Sequence, residues 1–325
     1  MTAGTRTDKG GGAASTPSEP SARDVLQGHA ALVVVQLCFG LFPVFALWST
    51  GPDGWSPSAL AAFRILFGAV VLSAIAFARH RGEALPRRSD LLLLAACSFL
   101  GVTLNQVLYL RGVSTSTASH AGVTMGLIPL FTFAIAAASG QERLRATRAL
   151  GVLTALAGVL LWRFLEEEAD VLRYGHGNLL MAANALSYSC YLVLSKPLLR
   201  RLPPLVVIAW VYLLALPFVP VLAWGADLSP DGVSGRALAS LGYTLVFPTV
   251  IAYLLNTFAL SRLRASTTAV YIYLQVIISA LGGVVMRGEH LSPALLLTAV
   301  LVFVGIALVV RRPPPVTVLR DHGTS

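Results

Sequence analysis

Between residues 29 and 311 the chain reads as a succession of apolar runs separated by short polar breaks, with little charge inside the runs. A helix crossing the hydrocarbon of a bilayer needs about 20 such residues. Ten runs reach that length, at approximately 29–49, 57–79, 89–110, 115–139, 146–164, 177–199, 203–225, 236–259, 265–287 and 292–311. The pattern therefore predicts an all-α integral membrane protein with ten transmembrane helices. Joints as short as the one between 89–110 and 115–139 make neighbouring spans antiparallel hairpins and leave little room for a soluble domain. Residues 1–28 are rich in Gly, Ser and Pro, and 312–325 are Pro-rich and polar, so both are expected to be disordered tails. No cleavable signal peptide is expected ahead of the first run.

Composition sharpens this picture. The chain is 56% hydrophobic and 12% charged, whereas an average soluble domain carries roughly 25% charged residues. A net charge of +9 raises the question of nucleic acid. The basic residues sit in small clusters between the apolar runs and form no continuous patch, which fits membrane orientation instead. With the N-terminus in the cytoplasm, the inner segments hold 18 Lys and Arg and the outer loops only Arg111, Arg163, Arg173, Arg236 and Arg287. That bias predicts an inner or plasma-membrane protein with both termini cytoplasmic. The acidic run 166–170 then belongs to an external loop, 165–176, and is expected to be solvated. Cys38, Cys97 and Cys190 all fall within apolar runs, without disulfide or zinc spacing, and read as packing residues.

The two halves of the chain are related. Shifted by 147 positions without gaps, Ser114, Ala118, Ser119, Val123, Leu127, Glu142 and Gly158 fall on Ser261, Ala265, Ser266, Val270, Leu274, Glu289 and Gly305. Identities among small and aliphatic residues are weak, but glutamates are scarce here, so Glu142/Glu289 carries more weight. Each unit, 29–164 and 177–311, holds five spans. Because five is odd, the second copy enters the membrane upside down, giving two inverted five-helix repeats. Such repeats are the architecture of many secondary transporters, which bind substrate near the midplane between the halves.

The stretch SPSALAAFRILFGAVVL, the segment ASHAGVTMGLIPLFTFAIAAASGQERLRATRALGVLTALAGVLLW and its second copy ASTTAVYIYLQVIISALGGVVMRGEHLSPALLLTAVLVFVGIALVV resemble the drug/metabolite transporter superfamily, and within it the ten-span EamA-type transporters. The resemblance covers about 29–311. It implies export of small metabolites and a cavity lined by helices 1, 3, 4, 6, 8 and 9. The family usually has a proline before the helix end in both copies; here the first has Pro129 and the second has Val276 after Gln275.

Polar groups inside spans mark a cavity, because polar residues facing lipid are disfavoured. Gln36 on helix 1 has Asn184 on helix 6 at nearly the repeat offset, and Tyr188 shares the face of Asn184. Asn105 and Tyr109 share a face of helix 3, and Tyr253 and Asn256 share one of helix 8. His120 and Thr124 lie on helix 4, and Tyr271 and Gln275 on helix 9. These residues are the candidate substrate cavity. The alternative for each is hydrogen bonding across a helix interface. Arg64 stands alone within span 2, and two readings stay open for it: a bond to helix-end carbonyls or another outer-half polar group, or contact with an anionic substrate group. His120 is equally open to reading as a neutral, hydrogen-bonded residue near the outer surface.

All 15 acidic residues lie in tails, loops or span ends. Exchange of protons for organic cations calls for an intramembrane carboxylate. Neutral, zwitterionic or anionic metabolites, amino acids and their derivatives among them, therefore suit the spans better, with protons as a candidate coupling ion. Away from their ends the spans offer one histidine, His120, and no acid, neither a catalytic nor a metal-ligand set, so an enzyme, a metal and a cofactor are not expected. A Walker motif is also absent. An importer of the same substrates and a membrane sensor or scaffold are the alternatives.

Overall fold

The computed structural model describes residues 21–80, 85–116, 118–141, 146–164 and 169–288, and scattered positions between 297 and 308. All regular structure among the described residues is helical. In chain order the helices are α1 (Ala22–Ser49), α2 (Pro57–Arg79), α3 (Arg88–Ser114), α4 (His120–Ala138), α5 (Ala146–Phe164), α6 (Ala169–Leu194), α7 (Pro204–Ala223), α8 (Gly235–Arg262) and α9 (Ala265–Met286). Seven of them, all but α5 and α6, are long and apolar enough throughout to cross a membrane. The apolar stretch of α5 is shorter, Ala149–Gly158. The tenth expected span, 292–311, lies mostly outside the described residues.

Local chemistry sets the ends. Ser56 accepts from the Ala59 amide and Pro57 opens α2, where a missing N–H costs nothing. Gly288 ends the helix that continues α9, in the left-handed conformation (φ 70°). Two boundaries differ from the sequence reading. α1 begins at Ala22, inside the expected tail, because Ser21 and Asp24 form a reciprocal capping box. α6 begins at Ala169, inside the expected external loop; residues 165–168 lie outside the described ones.

The interiors are less regular than the hydropathy pattern. α3 is wound as a π-helix over Phe99–Thr103, and α8 over Val246–Ile251. α4 and α9 are each interrupted once, at Gly126 (φ −58°, ψ −15°) and at Tyr271 (φ −61°, ψ −20°). The first break precedes Pro129, which cannot donate to the previous turn. The second has no proline and adopts nearly the same backbone.

Packing follows an exchange rule. α1 packs on α8 and α6 on α3; α4 packs on α6 and α9 on α1; α2 pairs with α7 and α4 with α9. Swapping α1–α4 for α6–α9 maps this set onto itself. Close approaches use glycine: a Cβ on Gly112 of α3 would stand 2.9 Å from the Gly177 carbonyl of α6, and one on Gly177 would stand 2.6 Å from the Gly112 carbonyl. Large apolar side chains such as Val70, Leu92 and Val285 cover the outer face.

Candidate functional site

Buried side chains donate to backbone carbonyls at both π-turns. In α8 the ring of Pro248 removes the amide hydrogen that the Thr244 carbonyl would receive. The Thr249 hydroxyl donates to that carbonyl at 2.7 Å. Arg64 completes the arrangement from α2: Nε donates to Thr249 Oγ1 at 2.8 Å and Nη2 to the Pro248 carbonyl at 3.5 Å. Its guanidinium carbon lies 4.3 Å from the centroid of the Phe42 ring, and that ring stacks on Tyr109 at 5.1 Å.

The π-turn of α3 is served by neutral groups. Ser187 Oγ donates to the Leu100 carbonyl at 2.7 Å and Tyr253 Oη to the Gly101 carbonyl at 3.0 Å. Gly101 has no Cβ because the Tyr191 ring occupies that space, 2.4 Å from where the atom would stand. Nearby, Asn184 Nδ2 donates to the Asn105 carbonyl at 2.6 Å, and Asn256 Nδ2 to Tyr188 Oη at 2.9 Å.

Several of these groups line a cavity whose atom-free space, open solvent at its mouth included, is about 600 Å³. Of the expected residues it brings together Gln36, Arg64, Asn105, Tyr109, Asn184, Tyr188, Tyr253, Asn256 and Gln275. Three stand apart from its lining. His120 Nδ1 lies 3.3 Å from Ser116 Oγ, Thr124 donates to the carbonyl of His120, and the Tyr271 hydroxyl meets His29 Nδ1 at 2.9 Å. On α9 the lining falls instead on Thr268, Ile272 and Gln275, and on α4 on Met125 and Ile128.

The lining also contains apolar residues that the sequence reading passed over, Val35, Phe39, Phe42, Met125, Ile128 and Leu192. An apolar residue in a membrane helix suits lipid and cavity equally, so it gives no sign of its own. The repeat would have found some of them. Gln36/Asn184 and Asn105/Tyr253 lie 148 positions apart, and Tyr109/Asn256, Met125/Ile272 and Ile128/Gln275 lie 147 apart; all ten residues line the cavity.

Polar atoms here fall into two sets. Asn184, Tyr188, Tyr253 and Asn256 are engaged with backbone or with one another. Gln36 Oε1, Tyr109 Oη and Thr268 Oγ1 are buried and have no hydrogen-bond partner among the described residues. Arg64 is 3% exposed. Among the described residues no Asp or Glu lines the cavity with it, and it makes no ion pair. A buried charge without a counter-ion is costly, so this is the strongest electrostatic feature of the site. Among the described residues no cluster of His, Cys, Asp and Glu has the makings of a metal site.

A family model described as the EamA-like transporter family matches residues 26–164 and again 175–311. The chain belongs to the EamA-like transporter family. It is a multi-pass membrane protein of a family of transporters, and both halves carry the family pattern. Relatives of this EamA-like chain include a probable terminal-alkyne amino-acid exporter of Streptantibioticus cattleyicolor, 27% identical over 81% of this chain and 86% of the relative. An uncharacterized transporter of Bacillus subtilis, YwfM, is 27% identical over 85% of this chain and 93% of its own. A WAT1-related protein of Arabidopsis thaliana is 24% identical over 87% and 85%. A protein of known crystal structure shares the fold with a TM-score of 0.69 at 22% identity, over 90% of this chain and 97% of that one.

Proposed function

We propose that this protein is a secondary transporter that moves small neutral, zwitterionic or anionic metabolites out of the cell by alternating access. In this reading ten helices form two inverted five-helix repeats, with both termini cytoplasmic. The observation that carries it is the cavity, whose lining residues fall into pairs one repeat apart and come from both halves. Support also comes from the exchange rule in the packing and from the matching places of the two π-turns. A cavity between two symmetry-related halves is what alternating access requires. Arg64 and the absence of acid from the lining favour anions and zwitterions over cations. Outward direction rests on the exporter among the relatives.

The test is purified protein in liposomes, screened with labelled amino acids and their derivatives, with and without a pH gradient. Ile128→Trp, which fills the cavity, abolishes flux, and Val70→Leu on the lipid face leaves it unchanged. Flux that survives Ile128→Trp rules the cavity out as the path. Orientation is checked in a cysteine-free background: an impermeant thiol reagent on intact cells labels Ser229→Cys and spares Gly82→Cys, and the opposite pattern inverts the topology.

A further inference from the structure

The unsatisfied groups of the cavity are not scattered. On α1, Phe42 lies six positions after Gln36, which is about 9 Å along the helix axis. Arg64 and Tyr109 gather around Phe42 at one end. The orphan amide oxygen of Gln36 marks the other end. α9 runs parallel to α1, since Tyr271 reaches His29 and a Cβ on Gly40 would stand 2.6 Å from Ile278. Thr268, early in α9, is therefore on the Gln36 side, ten positions before Ile278 where Gln36 is four before Gly40, so its orphan hydroxyl extends that end beyond Gln36. Phe39 lies between the ends on α1, and Met125 and Ile128 add apolar lining from α4.

Each end has a defined appetite. At the first, Nε and Nη2 of Arg64 are engaged, while Nη1 has no acceptor among the described residues. A guanidinium edge beside a free phenol hydroxyl suits a carboxylate. An α-ammonium group would have to sit close to that carboxylate, beside the guanidinium and with no acid in the lining to balance it. The second end offers a neutral amide and a hydroxyl, suited to a group that both donates and accepts. We propose that the cavity binds an elongated organic monoanion, its carboxylate against Arg64 and Tyr109 and a neutral amide- or hydroxyl-type group at its far end against Gln36 and Thr268. The inference rests on reading the cavity as the transport site and selects the anionic class within it.

The probes are ω-amide carboxylates of increasing length, succinamate, adipamate and suberamate, titrated calorimetrically into the purified full chain in detergent. The longer members bind tightest. Octanoate, which lacks the amide, and suberamide, which lacks the charge, each bind at least about tenfold more weakly than suberamate, the change expected for a lost hydrogen bond to a charged or buried group. Arg64→Gln removes the preference for suberamate over suberamide. Tyr109→Phe deletes a hydroxyl with no protein partner, so it folds normally and weakens suberamate severalfold while leaving suberamide unchanged. Gln36→Met removes the preference for suberamate over octanoate. Equal binding of suberamate and suberamide by the wild-type protein, or unaltered selectivity in both Tyr109→Phe and Gln36→Met, overturns the proposal. Liposome flux separates the two claims. Another solute carried in a manner that Ile128→Trp blocks, and that suberamate fails to inhibit, sinks the anion class and leaves the cavity as the path. Suberamate that binds with the stated selectivity but neither crosses nor inhibits leaves the site standing and removes its role in transport.

Discussion

The π-turns of α3 and α8 occupy the same place in the two halves and are completed in opposite ways. In α3 a serine and a tyrosine from α6 and α8 donate to two carbonyls of the turn, and every participant is neutral. In α8 a proline creates the vacancy, a threonine fills it, and an arginine from α2 donates to the threonine and to the proline's own carbonyl. The position 148 residues after Arg64 is Tyr212, whose hydroxyl has no partner among the described residues. One backbone device thus persists while its electrostatics diverge. The neutral version only closes the structure, whereas the charged one also leaves a guanidinium edge at the cavity. Symmetry of fold does not impose symmetry of chemistry.

The sharpest way to break this contrast is Arg64→Gln. It removes charge-assisted donors from a buried carbonyl and hydroxyl, and a loss of roughly 1.5–3 kcal/mol is expected in thermal or denaturant unfolding of the purified protein. Arg64→Lys keeps the charge without the planar fork and falls between the two. An unchanged transition in Arg64→Gln means that α8 does not need its brace. Gly101→Ala attacks the neutral turn sterically, since its Cβ would stand 2.4 Å from the Tyr191 ring; overpacking of this kind costs about 1–3 kcal/mol. A normal melting temperature there shows that the ring yields freely. Tyr253→Phe takes one hydroxyl from the same turn and is expected to lower stability by about 1–1.7 kcal/mol, the upper end for interhelical hydrogen bonds in membranes. Ser187→Ala is smallest, about 0.6 kcal/mol. A larger effect for Ser187→Ala than for Tyr253→Phe reverses the assignment of the principal donor.

These expectations correct the simplest view of the polar stripes. Asn184, Tyr188, Tyr253 and Asn256 look like substrate ligands along the sequence, and they do line the cavity. Their hydrogen bonds, however, go to the protein. Substitutions there weaken the fold together with any transport. Gln36, Tyr109 and Thr268 are the ones with unused capacity, and nothing in the sequence separates the two groups. Whether a buried polar atom is satisfied depends on a partner 79 residues away in the case of Asn184 and Asn105, or 185 away for Arg64 and Thr249.

From residue order alone came the membrane character, the apolar helices, the repeat, the family resemblance and most of the polar side chains that meet at the cavity. All of these follow from short-range regularities: the length and period of apolar runs, and the spacing of one half against the other. Tertiary structure decided what no local pattern encodes. It wound α3 and α8 into π-turns, broke α4 and α9, kept His120, Thr124 and Tyr271 out of the cavity lining, and brought Phe42, Met125, Ile128 and Leu192 into it. It also resolved the setting of Arg64, which bonds to a helix carbonyl and a hydroxyl while facing the cavity without a counter-ion. The physical reason is that in a membrane a polar group has no water to turn to, so whether it is met inside the protein or left facing a cavity depends on which helices touch.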